Sequence, residues 1–162
     1  MGEIMELIPS KFFIVSSSAV SKVSDLNAFD RALIDAGIGE QNLLSVSSVI
    51  PKDAELISPK DLPMGAVTHC VLAQMRGSEG ETISAGIAYA LRKDGNGGYV
   101  AEGHIYGSKD SLKEILSLKM KEMGKMRNVE FGEVKYAIEE LSIPMDHYGA
   151  CIASLVFTDY RL

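Results

Sequence analysis

The stretch Thr82-Ile83-Ser84-Ala85-Gly86-Ile87-Ala88-Tyr89-Ala90-Leu91-Arg92-Lys93-Asp94-Gly95-Asn96-Gly97-Gly98-Tyr99-Val100-Ala101-Glu102-Gly103-His104-Ile105-Tyr106 sets two apolar runs around a cluster of residues that tolerate positive φ. It is the strongest hairpin signal in the chain, and it predicts that residues 99–106 pair with residues 82–93. Upstream, residues 66–76 form another β-rich run, separated from the hairpin by the turn-like Gly77-Ser78-Glu79-Gly80-Glu81. Downstream, Ser108 caps a predicted helix over residues 109–126. Leu112, Ile115, Leu116, Met120 and Met123 form its apolar stripe, with Lys113, Glu114, Lys119 and Lys121 opposite.

Nearer the start, Phe12-Phe13-Ile14-Val15 marks a strand within residues 11–20. Asp25 or Ser24 then caps a second amphipathic helix that ends at Gly37. Residues 42–50 read as the next strand, closed by Pro51, which removes a ladder donor. Residues 54–63 read as a loop, and residues 129–141 and 148–160 as the last strands. About six strands with two helices, not alternating as βαβ units, predict an α+β layered sandwich.

A chain of 162 residues has the length of one domain and buries roughly two-thirds of its unfolded surface. A single domain over residues 1–162 is therefore expected. With 46% hydrophobic and 23% charged residues it is not a disordered sequence. The net charge of −6 and the lack of a Lys/Arg run argue against a nucleic-acid partner. No apolar run approaches the roughly 20 residues of a membrane span, and residues 1–9 lack a basic flank before an apolar core. No membrane association and a cytoplasmic location are expected. Cys70 and Cys151, far apart and each in an apolar context, read as buried reduced thiols.

His69, His104 and His147 have no helical ligand spacing, so no metal is expected. Neither a P-loop nor Gly-x-Ser-x-Gly is present, which leaves a nucleotide enzyme or a serine hydrolase without support. Glu102 lies inside an apolar strand whose period-2 alternation points it to either face. Facing the core, its carboxyl would have a raised pKa and serve as an acid near neutral pH; facing out, it is a solvated strand residue. Asp30, mid-helix beside Arg31, reads on pattern alone as surface charge.

Leu26-Asn27-Ala28-Phe29-Asp30, Ala36-Gly37-Ile38-Gly39, Asn42-Leu43, Val46-Ser47-Ser48-Val49-Ile50-Pro51, Ala54-Glu55, Leu62-Pro63-Met64-Gly65-Ala66 and Gly80-Glu81-Thr82-Ile83-Ser84-Ala85 occur in this order. Together they resemble the pyruvoyl-dependent arginine decarboxylases. The pair Ser47-Ser48 alone would signify nothing, but the ordered set is specific. Two places depart from the family pattern: Glu79 stands where proline is frequent, and residues 144–148 match no motif.

The resemblance implies a four-layer αββα sandwich assembled as a homo-oligomer, a trimer or a dimer of trimers, with active sites between protomers. It implies a proenzyme that cuts itself at Ser47–Ser48, giving a β chain of residues 1–47 and an α chain of residues 48–162. Ser48 attacks the Ser47 carbonyl and becomes the covalent pyruvoyl cofactor, with no metal and no pyridoxal phosphate. Asn42 matches a position that assists cleavage. The pyruvoyl ketone then forms a Schiff base with arginine and yields agmatine, for polyamine synthesis or acid tolerance. By the same resemblance Glu102 is the proton donor, Asp30 receives the guanidinium, and Gly39, Val46 and Ser47 line the substrate pocket. Two alternatives stand beside this reading: a pyruvoyl decarboxylase of another amino acid, and an unprocessed homologue that binds arginine or agmatine without reacting.

Overall fold

In a computed structural model that describes residues 6–161, the elements run β1 (Ile8–Ser21), α1 (Asp25–Asp35), β2 (Asn42–Ser45), β3 (Val49–Ile50), β4 (Glu55–Leu56), β5 (Val67–Ser78), β6 (Thr82–Leu91), β7 (Gly98–Tyr106), α2 (Lys109–Arg127), β8 (Lys135–Ser142) and β9 (Tyr148–Arg161). The sequence reading of residues 1–9 lies in part outside the described residues. No described helix is long and apolar enough to cross a membrane.

The strands form two sheets, one of five strands in the order β2-β5-β9-β1-β4 and one of four in the order β3-β7-β6-β8. Phe12, Val71 and Leu155 of the first meet Ile83, Ile87 and Val100 of the second in the core between them. α1 covers the outer face of the five-stranded sheet, burying Ala28 and Ala32 against Phe13 and Ile152. α2 covers the outer face of the other, setting Leu112, Leu116 and Met120 against Ala88, Ala101 and Ile138. Four layers result, helix, sheet, sheet, helix, as expected. Central strands covered on both faces are apolar at consecutive positions, which is why Phe12-Phe13 and residues 149–158 are buried without alternation.

Local signals explain the best-placed elements. β6 and β7 pair from Ile83↔Tyr106 to Leu91↔Gly98, around a turn in which Gly95 and Gly97 have positive φ. The Asn96 N–H donates to Asp94 Oδ1 at 3.0 Å within that turn. Ser24 Oγ accepts from Asn27 N–H at the start of α1, and Ser108 Oγ accepts from Ser111 N–H at the start of α2. Asn128, in the left-handed region, ends α2.

Three expectations need correction. The run 42–50 is not one strand: β2 pairs parallel with β5 in the first sheet, whereas β3 pairs antiparallel with β7 in the second. Residues 129–134 precede β8 as a loop that touches the hairpin at the isolated bridge Arg92↔Phe131 and through the Tyr99–Phe131 ring contact. Residues 54–63, read as a loop, hold the short strand β4, which pairs parallel with β1. The turn read over residues 77–81 is a turn, and it carries the chain from one sheet to the other. Glu79 in that turn has a partner of its own: its Oε2 accepts from Asp146 N–H at 2.9 Å. The two places that depart from the family pattern are thus joined to each other.

Candidate active site

The two sheets are bridged where the strand reading failed. Val46 N–H donates to the Cys70 carbonyl in the first sheet at 2.9 Å, and Val100 N–H in the second donates to the Ser48 carbonyl at 2.9 Å. The Ser47–Ser48 peptide lies between these anchors, on backbone that belongs to neither β2 nor β3. Ser47 is exposed and Ser48 half-buried.

Ser48 lines a cavity of about 340 Å³ with Val100, Ala101, Glu102, Lys119, Glu122 and Met123. Of the residues singled out in the sequence, this brings Ser48 and Glu102 together. Along β7, Val100 belongs to the core between the sheets and Ala101 to the core under α2. A Cβ on Gly103 would meet Leu112 on the α2 side. Glu102 therefore points to the face turned toward the five-stranded sheet. It is nevertheless exposed, because β3 pairs only with the first residues of β7 and the edge beyond is open. A second cavity of about 340 Å³ reaches the same carboxylate from Gln74 and His104.

The other candidates lie elsewhere in the chain. Asn42 is at the start of β2, where its Nδ2 donates to the Gly65 carbonyl at 2.9 Å. Ser47 follows it by five residues of chain, a reach of at most about 17 Å if fully extended. Asp30 is exposed on α1, across the five-stranded sheet from the Ser48 cavity, next to Arg31, which pairs with Asp35 at 3.0 Å. Gly39 follows α1, and a Cβ there would stand 2.6 Å from Ile34 Cγ1 and 2.8 Å from Ile34 Cα, so the close approach of backbone to helix requires glycine. Val46 lines a separate cavity of about 390 Å³ on the other side of the crossover, with Val49, Phe157, His69 and Tyr160. His69 Nδ1 and Tyr160 Oη are hydrogen-bonded there.

Sequence reasoning missed Lys119 and Glu122. Lys119 is not simply opposite the apolar stripe: its Nζ donates to the Glu102 carbonyl at 2.8 Å. The available signal was spacing, since Lys119 follows Leu116 by three residues and precedes Met123 by four, which sets it on the border of the buried face.

Residues 11–162 match the family model described as pyruvoyl-dependent arginine decarboxylase. The chain belongs to the pyruvoyl-dependent arginine decarboxylase family. Relatives carrying that name include one from Thermococcus sibiricus, 34% identical over 155 residues that cover 94% of this chain and 97% of the relative. Another, from Thermococcus kodakarensis, is 35% identical over 94% of this chain and 97% of its own length. A third, from Pyrococcus abyssi, is 33% identical over 91% and 94% respectively. Pyruvoyl-dependent arginine decarboxylases are carbon–carbon lyases that carry a pyruvoyl prosthetic group. The cavity that Ser48 lines also holds the carboxylates of Glu102 and Glu122 and the ammonium of Lys119, a donor and acceptors that could orient a small carbonyl group of that kind at position 48.

Proposed function

We propose that this chain cuts itself at Ser47–Ser48 and then converts L-arginine to agmatine and carbon dioxide. The carrying observation is the position of the Ser47–Ser48 peptide, held between the two sheets by one hydrogen bond to each, with Ser48 across one cavity from Glu102. A peptide paired on both sides in a sheet resists the pyramidal geometry that attack on its carbonyl requires, whereas one suspended between two anchors is freer to reach it.

In this reading Ser48 Oγ adds to the Ser47 carbonyl carbon, the C–N bond breaks, and the freed amine of residue 48 takes the hydroxyl proton. An ester now joins the two residues. Loss of the residue 48 Cα proton expels Ser47 as a carboxylate and leaves dehydroalanine, which takes up water and releases ammonia. The products are chains of residues 1–47 and 48–162. The pyruvoyl group formed at position 48 supplies a ketone that condenses with the substrate amine and accepts the electron pair left by carbon dioxide.

The remaining work falls to the side chains. Glu102 delivers a proton to the substrate Cα after carbon dioxide leaves. Asp30 receives the guanidinium in a bidentate pair, Gly39, Val46 and Ser47 line the pocket, and Asn42 assists the cleavage step. Asp30 lies on α1, across the five-stranded sheet from Ser48, and Asn42 does not line the Ser48 cavity; this supports a homotrimer, or a pair of trimers, whose sites combine residues of neighbouring copies.

Intact-mass measurement tests the reading directly. The purified protein should give two chains in place of one of 17.5 kDa, and turn over arginine in preference to lysine, ornithine and aspartate. Ser48→Ala should stay uncut and inactive. Glu102→Gln should be cut normally and decarboxylate arginine at least ~100-fold more slowly. A single uncut wild-type chain would sink the processing step, and full turnover by Glu102→Gln would assign the proton to another group.

A further inference from the structure

The outer edge of β7 changes partner at Glu102. Val49 pairs with Tyr99 and Ile50 with Gly98, and the same antiparallel register brings Val100 N–H to the Ser48 carbonyl. Two residues further, that register would set Val46 opposite Glu102, with Val46 N–H donating to the Glu102 carbonyl. Instead Val46 N–H donates to Cys70 in the other sheet, and the Glu102 carbonyl accepts from Lys119 Nζ at 2.8 Å. The lysine of α2 thus fills the ladder position that Val46 leaves. It also lines the cavity of Ser48, and two residues along a strand are about 7 Å, so its ammonium stands close to the suspended peptide.

An open strand edge recruits any backbone that can pair with it, and a lysine there is a common block. Here the backbone nearest to hand is residues 46–48. If it zipped onto β7, the Ser48 N–H, the nitrogen that must leave, would be tied to the Val100 carbonyl, and the Ser47–Ser48 peptide would be held flat in the ladder with its Ser47 carbonyl turned to the other edge. An ammonium donating to a carbonyl makes a charge-assisted hydrogen bond, stronger than the backbone N–H hydrogen bond it displaces. Resting on the self-cleavage reading above, we propose that Lys119 is a positioning residue for self-processing: by occupying the Glu102 carbonyl it keeps the scissile peptide between the sheets and out of either.

The test compares freshly synthesised wild-type, Lys119→Met and Lys119→Arg precursors, following the cut fraction with time by intact mass and the thermal midpoint of each. Methionine keeps the unbranched apolar stem and loses the donor; arginine restores it. The expected result is cleavage slowed about tenfold in Lys119→Met, the rate effect of losing one charged hydrogen bond, and near-wild-type in Lys119→Arg, with midpoints unchanged. Equal rates for wild type and Lys119→Met would overturn the inference and leave self-cleavage standing. So would equal slowing in both variants, or slowing that tracks a lowered midpoint. A wild-type chain that never cuts would instead refute the processing reading, and this inference with it.

Discussion

Cys70 and Cys151 are both free and fully buried. Burial pushes the Cys151 thiol from 9.0 up to about 12, with the charges of Glu139 and Glu140 adding to the effect. Burial also pushes the Cys70 thiol up, against a lowering by its hydrogen bond with Ser154. An acid whose pKa is raised by folding stabilises the folded state below its unfolded pKa, and that contribution is lost as pH rises through the folded value. Cys151 should therefore contribute fully below pH 9 and progressively less between pH 9 and about 12. Urea midpoints across that window should fall less steeply for Cys151→Ala than for wild type, and at pH 8 a thiol reagent should leave the native protein unlabelled. These cysteines were legible in the sequence because an apolar context predicts burial. Glu102 was not, since alternation offers two faces and its exposure depends on how far β3 extends along the neighbouring edge.

At the scale of elements, the β6–β7 hairpin also seats β3. Gly97 has φ +82°, and a Cβ there would stand 2.5 Å from the Ile50 carbonyl oxygen, whereas Gly95, at φ +77°, has open space around it. Gly95→Ala should cost about 1–2 kcal/mol, the strain of a left-handed alanine. Gly97→Ala should cost more, because Ile50 must also move, and it should slow self-cleavage by shifting the anchor next to Ser48. Thermal midpoints and cut fractions measured side by side would check the ranking; equal effects would mean that the Gly97–Ile50 contact is unimportant. The hairpin and both helices were readable because their turns and caps are local chemistry: Asp94-Gly95-Asn96-Gly97, Ser24 and Ser108. The break in the run 42–50 was not readable, since Val46-Ser47-Ser48-Val49 contains no local breaker. What divides it is competition between Cys70 in one sheet and Val100 in the other, partners separated from it by more than twenty residues.

For the whole molecule, Asp30 and Ser48 lie on different layers of one protomer, so the proposed site predicts complementation. Ser48→Ala and Asp30→Asn chains, each inactive alone, should regain arginine decarboxylation when co-assembled, and the native mass should be three times that of one chain or a multiple of it. Absence of any regained activity would confine the site to a single chain or remove Asp30 from it. Leu26 on α1, Leu44 on β2, Met64 in the loop before β5 and Val67 at its start are exposed apolar residues that an assembly through this side would cover. The family blocks made the αββα layers legible, but assembly is a property of surfaces contributed by distant segments, and no local pattern records it. The strand order of the five-stranded sheet has a further consequence. Residues 1–47 supply β2 and β1, residues 48–162 supply β5, β9 and β4, and β1 is zipped to β9 from Ile8↔Arg161 to Ser21↔Tyr148. The proposed single cut would therefore release nothing: the shorter product would be a woven thread, and pulling it out would unravel the fabric from the inside. Covalent continuity at that point would then be dispensable to the architecture, and the proposed cut would leave a new chain end free to become a reagent.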